Sequence, residues 1–278
     1  FGRANGLTHE DQRQLIRRCL DLGVNLFDTA EAYGKGASEE DLGRALDGVP
    51  RESYYLATKW LHHDGQAQSL KEDPAELEQS VDASLTRLRT DYIDVMQFHG
   101  LAPNHYEEVV KSFYPTMEKM REAGKIRFIG FSEYLRTDAK HEAIVHALST
   151  EPQIWDTIMI KYGILYQQSA RKALPLARER NVGVLNMAPV RLSLTRPDQL
   201  CKLFSEWEAE GIIPKGTLSG PDPLGWLVHN GVKSLVAAGY KFAADQPAIS
   251  TVITGTSSID HLEQNHAALE DPALPEAD

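Results

Sequence analysis

Two spacings of apolar residues alternate along most of this chain. Short apolar runs rich in β-branched and aromatic residues give way to stretches in which apolar positions recur every three or four residues. Runs at 24–30, 54–60 (YYLATKW), 92–99 (YIDVMQFH), 126–131, 155–161, 182–187 and 249–255 predict seven strands. Thr8 can cap a helix that carries Leu15, Ile16, Cys19 and Leu20 on one face and stops at Gly23. A charged helix-like stretch precedes Tyr54. Asp73-Pro74-Ala75-Glu76 opens another helix, with Leu77, Val81, Leu85 and Leu88 in line. Further helices are predicted up to Gly124, beginning or kinking at Pro115, then over 137–148, over 169–180 with a proline inside, and over 227–244. The last begins near Ser257 or Ser258 and carries Leu262, His266 and Leu269. Between 191 and 225 the rhythm stops in a polar, Gly- and Pro-rich connection with a helical turn or two around 200–208. Connections of that length in a compact domain are usually functional or mobile.

Strand–helix alternation with buried strands means a parallel sheet with crossover helices. Seven or eight units over 278 residues fit a closed (β/α)8 TIM barrel better than an open doubly wound sheet. An open sheet binding a dinucleotide should show G-x-G-x-x-G after an early strand, and no such run exists. The barrel counted this way is one strand short, and the missing first strand is expected before Phe1. Residues 1–278 thus read as a single barrel domain, with 190–225 as a long loop over its mouth.

Composition narrows the classes. With 42% hydrophobic and 25% charged residues the chain reads as a soluble globular protein. A net charge of -11 with scattered acids argues against a nucleic-acid surface, which needs a basic face. No apolar run approaches the ~18 residues of a membrane span, and no signal peptide opens the sequence. Cys19 and Cys201 form neither a disulfide framework nor a metal motif, so the expected setting is cytoplasmic and no metal site is expected. Nothing in the pattern specifies an oligomeric state.

The chemistry gathers at strand ends. Asp28, Lys59 and His99 fall at or near the ends of three successive predicted strands, and Tyr33 lies in the loop beyond the first. In a barrel such groups converge on one open face. Each also has a plainer reading: Asp28 as a turn former or half of a buried salt bridge with Lys59, His99 as a core histidine, Tyr33 as a packing aromatic. All of these being true together at one rim is the less economical account. A free phenol keeps its proton to about pH ~10, and an ammonium within a few ångström favours the phenolate. Asp28 would hold Lys59 charged, and His99 would orient a substrate oxygen. The set suits proton exchange with a carbonyl or alcohol oxygen, and the hydride must then come from a cofactor.

FDTAEAYG (27–34), ATKW (57–60), MQFH (96–99), REAGKIRFIGFSE (121–133) and TGTSSIDHLEQN (254–265) together resemble the aldo-keto reductases, in order and spacing. The resemblance implies Asp28, Tyr33, Lys59 and His99 as a catalytic tetrad with Tyr33 as proton donor. It also implies a nicotinamide dinucleotide, NADP or NAD, across the barrel mouth. Asp28 would border that cofactor, Ser132 would contact the nicotinamide amide, and Gly255, Ser257, Ser258, Gln264 and Asn265 the adenosine end. Free N–H groups of the Ser257–Ser258 turn would suit an anionic phosphate.

Some positions depart from the commoner family pattern. Glu133 stands where an asparagine usually follows the serine, Met159 where a glutamine often binds the amide, and Met187 where an aromatic often stacks on the nicotinamide. NMAPVRLSLT (186–195) replaces the usual loop. These features look more like the sugar and aldose 1-dehydrogenase branch, such as D-arabinose and L-galactose dehydrogenases, than the aldose reductases. Segment 254–265 holds no Arg or Lys for a 2′-phosphate, although Arg191, Arg196 and Lys215 could reach it, so dual cofactor use is expected. Trp60, Tyr134 and the loops at 62–68 and 191–225 are expected to shape the pocket for a carbonyl or sugar substrate, with packing over the strand end an equal alternative for Trp60. Two other functions stay open: a Schiff-base aldolase using Lys59, and a cofactor-binding regulatory subunit with little turnover.

Overall fold

The computed structural model describes residues 6–64, 69–134, 138–216, 220, 222–271 and 273–274. Among them the elements run α1 (His9–Asp21), β1 (Leu26–Asp28), α2 (Ala37–Ala45), β2 (Tyr55–Trp60), α3 (Pro74–Leu88), β3 (Ile93–Leu101), α4 (Tyr106–Ser112), α5 (Tyr114–Glu122), β4 (Ile126–Glu133), α6 (Glu142–Thr150), β5 (Thr157–Lys161), α7 (Ala173–Glu179), β6 (Gly183–Met187), α8 (Leu192–Thr195), α9 (Pro197–Ala209), α10 (Leu235–Ala244), β7 (Thr251–Val252) and α11 (Ile259–Glu270). The strands make one sheet in the order β1 to β7, each neighbouring pair parallel. No helix among the described residues is long and apolar enough to cross a membrane.

Strand residues divide by the two-residue pleat. Phe27, Leu56, Trp60, Phe98, Phe131, Ile158 and Val184 join the helix residues Ile16, Leu42, Leu77, Met117, Ile144 and Leu174 in the principal core. The alternating positions, among them Asp28, Lys59, Gln97, His99, Ser132, Met159, Lys161 and Met187, face the other side of the sheet, so the candidate chemistry shares the inner face. β1 and β7 are not paired, and a cavity of about 480 Å³ opens between them, lined by Leu26, Phe27, Thr251, Val252, Leu15 and Leu262. That seam is where a further strand of an eight-stranded barrel would sit.

Local chemistry accounts for most boundaries. Thr8 and Asp11 form a reciprocal capping box on α1, and Asp73 caps α3 ahead of its proline. The helix predicted up to Gly124 is broken at Phe113, with Pro115 in the first turn of α5. Three expectations need correction. The helix predicted from residue 137 (a position outside the described residues) starts at Glu142, because the Asp138 carboxylate accepts the N–H groups of Glu142 and Ala143. The helix predicted from 227 begins only at Leu235, where Ser234 accepts the Ala237 N–H. Within 190–225 the helical turn or two expected around 200–208 is longer: α9 runs from Pro197 to Ala209 and buries Leu200 and Phe204 against Leu224, Leu227 and Val232 in a second small core.

Gly130 shows how tightly the inner face is built. It pairs with Thr157 across β4 and β5, and a Cβ there would lie 2.1 Å from Thr157 Oγ1 and 2.5 Å from its carbonyl oxygen. Gly130→Ala is therefore expected to cost about 1–3 kcal/mol of stability, read from the urea midpoint. An unchanged midpoint would mean that β4 and β5 do not meet this way.

Candidate active site

The last residue of β1, the penultimate residue of β2 and the seventh residue of β3 meet at one rim. Lys59 has a side chain only 1% exposed. Its Nζ donates to Asp28 Oδ1, Asp28 Oδ2 and the Thr29 carbonyl, each at 2.7 Å. All three donor positions of the amine are thereby used, which leaves it unsuited to attack a carbonyl. Burial pushes the Asp28 carboxyl above its usual value while Lys59 pulls it back.

Tyr33 stands over this pair. Its N–H donates to the Ala30 carbonyl, and the chain then turns through left-handed Gly34, Lys35 and Gly36, conformations for which two of the three residues are glycine. The turn leaves the ring 43% exposed, with Lys59 Nζ 5.3 Å from its centroid. The ammonium faces the ring and makes no hydrogen bond to the phenol oxygen. The ring of His99 meets Tyr33 edge-on, centroids 5.7 Å apart. Burial first, then the charge of Lys59, push the His99 pKa down to about 3, so the imidazole is neutral. Its Nδ1 is buried without a partner among the described residues. An N–H there would be unsatisfied, which assigns the single proton to Nε2.

Trp60 requires a correction. It is fully buried and packs against Phe98, Phe113 and His62 on the helix side of β2, so it supports the strand and does not line the mouth. Of the 62–68 loop, residues 65–68 lie outside the described residues. His62 is a group that sequence reasoning missed: it is fully buried among Trp60, Phe98, His63 and His105, and neither ring nitrogen has a partner among the described residues. Only the adjacency of His62 and His63 after a buried strand signals it. No group of three or more His, Cys, Asp or Glu among the described residues is placed to hold a metal ion.

The candidate cofactor positions spread around the same rim. Ser132 is buried beside Met159, its register partner on β5, and its hydroxyl accepts the Gly100 N–H, which leaves its own proton to donate. Glu133 is not free to act as an asparagine would: its carboxylate accepts the Lys161 N–H at 2.8 Å and pairs with His141. Met187 ends β6, half-buried and in register with Lys161. Arg191 is exposed, its guanidinium 5.4 Å from the ring centre of Tyr166. A Cβ on exposed Gly255 would meet nothing within 4 Å, so open space lies above that backbone. Ser257 and Gln264 are exposed, whereas Asn265 is buried and donates to Thr254 Oγ1. The expected free N–H of Ser258 is used by Thr256 Oγ1, and the Ser258 side chain caps His261. The N–H groups of Ser257, Ile259 and Asp260 meet no acceptor among the described residues.

Comparison with known proteins places this arrangement. The sequence matches the model of the Aldo/keto reductase family over residues 1–278. It is 26% identical over 268 residues to L-galactose dehydrogenase of Arabidopsis thaliana, covering 95% of this chain and 79% of that one. It is 28% identical over 312 residues to D-threo-aldose 1-dehydrogenase of a Pseudomonas species, covering 98% and 90%. Among solved structures, the holo form of an aldo-keto reductase from Bacillus halodurans superposes with a TM-score of 0.68 at 26% identity, over 93% of this chain and 81% of that one. An aldo/keto reductase from Klebsiella pneumoniae in complex with NADP and acetate gives 0.63 at 23%, over 94% and 80%.

Histidines whose pKa is lowered by burial make stability depend on pH: His62, His63, His99 and His105. Burial lowers both His62 and His99 below the ordinary value near ~6.5. The unfolded chain therefore binds protons that the folded one does not, and stability is full above about pH ~6.5 and lost as pH falls below it. Urea unfolding at pH 7.5 and 5.5 should show a loss of roughly 1–3 kcal/mol. His62→Phe should lessen that loss; an equal loss in both proteins would mean that His62 protonates freely when folded.

Proposed function

The chain belongs to the aldo/keto reductase family, and on that footing we propose that it interconverts an aldehyde, ketone or aldose with the corresponding alcohol or lactone, using Tyr33 as the acid–base group and NADP or NAD as cofactor. The observation that carries this reading is a fully hydrogen-bonded ammonium, Lys59, 5.3 Å from the ring of an exposed phenol that lies edge-on to a neutral imidazole.

When bound, the dinucleotide supplies or accepts the hydride. Gly255, Ser257 and Gln264 fit its adenosine end, because the space above Gly255 is open. Ser132, Met159 and Met187 fit the nicotinamide, with the Ser132 hydroxyl proton available to the amide and a methionine sulfur against the ring. Asn265, tied to Thr254, would serve by shaping the loop. In the reducing direction, His99 Nε2–H donates to the carbonyl oxygen and Tyr33 passes its proton to that oxygen as negative charge develops there. The phenolate left on Tyr33 is stabilised by Lys59, which Asp28 keeps charged. Exposure of the phenol lets solvent return the proton. In the oxidising direction the same groups act in reverse, with Tyr33 as base.

The similarity to the two sugar dehydrogenases supports an aldose as substrate. The absence of Arg and Lys from 254–265 supports use of both cofactors, with a preference below ~1000-fold, about 4 kcal/mol. Lys59 as a Schiff-base nucleophile is disfavoured because its three protons are already donated.

Following absorbance of NADH and NADPH with a panel of aldoses, aldehydes and ketones tests this. Tyr33→Phe should lower kcat by about 10²–10⁴-fold and leave cofactor binding unchanged, since the ring stays in place. Undiminished turnover in that variant would remove Tyr33 from the mechanism.

A further inference from the structure

Tyr33 lies between two carboxylates, Glu31 before it and Glu39 after it, and each puts one oxygen towards β2 and the other towards α3. Glu31 Oε1 accepts the Leu61 N–H at 3.2 Å, just past the end of β2, and Oε2 accepts the Ser80 hydroxyl. Glu39 Oε1 accepts the Thr58 hydroxyl at 2.6 Å, and Oε2 accepts Ser84 Oγ at 3.2 Å and Arg87 Nε at 2.7 Å. We propose that Glu31 is a positioning residue for Tyr33: with Glu39 it clamps the tyrosine turn to the strand that carries Lys59. What Tyr33 does once held rests on the carbonyl-reducing reading; the clamp itself does not.

The backbone of Glu31 contributes as much as its side chain. Its N–H donates to the Lys59 carbonyl at 3.4 Å, and its own carbonyl accepts the Gly36 N–H at 2.7 Å. The first bond fixes where the turn starts, and the second closes it across left-handed Gly34, Lys35 and Gly36. Glu31 thus grips β2 on both sides of Trp60, through Lys59 and through Leu61. Trp60 is fully buried in the core, so this stretch of β2 is a firm mount. The β1–β2 register ends at Asp28 and Ala57. Beyond it the Thr29 and Glu31 N–H groups continue the bonding to β2, and the carboxylate then takes the Leu61 N–H in place of a strand carbonyl.

On α3 the donors Ser80, Ser84 and Arg87 are spaced i, i+4 and i+7, one stripe of the helix. Arg87 also packs on the turn itself, because a Cβ at Gly36 would stand 2.8 Å from its Cδ. The two ends of the clamp differ in kind. Glu39 is fully buried and ion-paired with Arg87, so removing it would leave a charge without its partner. Glu31 is half-buried and holds the turn by hydrogen bonds alone, which makes it the end that can be altered in a folded protein. An exposed ring has little packing of its own to fix it, and a misplacement of about 1 Å can cost ~10²-fold in rate. The fastenings of the turn supply that missing constraint.

The test uses the full chain labelled with 3-fluorotyrosine, with Tyr33→Phe identifying the Tyr33 fluorine signal. Glu31→Ala should move or broaden that signal and lower kcat about tenfold or more, with cofactor affinity unchanged. Glu31→Gln, whose amide oxygen still accepts the Leu61 N–H, should return both towards the parent. Ser80→Ala should act in the same direction as Glu31→Ala, and it decides the matter if Glu31→Ala does not fold. In the Tyr33→Phe background Glu31→Ala should lower kcat no further, since its effect passes through the phenol. A kcat unmoved by Glu31→Ala and Ser80→Ala, a Glu31→Gln variant as impaired as Glu31→Ala, or an undiminished further loss in the Tyr33→Phe background overturns the role. If the parent shows no redox turnover, the fluorine signal alone decides: one that responds to Glu31→Ala and returns in Glu31→Gln retains the clamp and refutes the carbonyl-reducing reading, and one that does not respond overturns the clamp.

Discussion

An amine buried under a protein surface needs acceptors, and Lys59 takes three at the end of β1. Two come from Asp28 and one from the Thr29 carbonyl. This demand ties the register of β1 on β2 to the position of the Tyr33 loop, because Thr29 is both an acceptor and the first residue after β1. Breaking such a pair by removing one partner typically costs 3–5 kcal/mol, whereas replacing the whole pair with apolar groups is often neutral or better. Stability alone is therefore a weak reason for an ion pair here. The chemistry above it is a stronger one: a fixed positive charge under a phenol.

The inner face of the sheet carries its charges in two places. Lys59 serves the rim of β1 to β3, and Lys161 with Arg191 occupies the rim of β5 and β6 across the mouth. The body of the molecule is acidic, with a net charge of -11. Asp28 offsets the charge of Lys59, so the positive charge at the rim lies with Lys161 and Arg191, on a body that otherwise repels anions.

Substitutions at family positions make sense only with their neighbours. Glu133 would be a poor amide-binding residue, yet it is a good clasp: one oxygen holds the backbone at the end of β5, the other His141 at the start of α6. Trp60 and His62 occupy the opposite side of the sheet from Lys59, where they pack rings against Phe98, Phe113 and His105. The histidine among them contributes packing at neutral pH and a liability in acid.

The alternation of strand and helix spacing, the parallel sheet and the convergence of Asp28, Tyr33, Lys59 and His99 were legible in the chain, because period-two and period-3.6 burial are local properties and parallel strands must end on a common side. Thr8, Asp73 and Ser258 announced their helices for the same reason, as a cap bonds within its own turn. What depended on distant partners was not legible. α9 owes its length to Leu224, Leu227 and Val232, which follow it in sequence. The side of β2 that Trp60 faces depends on Phe98 and Phe113, and the approach of Arg191 to Tyr166 depends on two loops touching at Gly163 and Pro189. Spacing specifies which residues share a face; only the packing of one element on another decides which neighbours they find there.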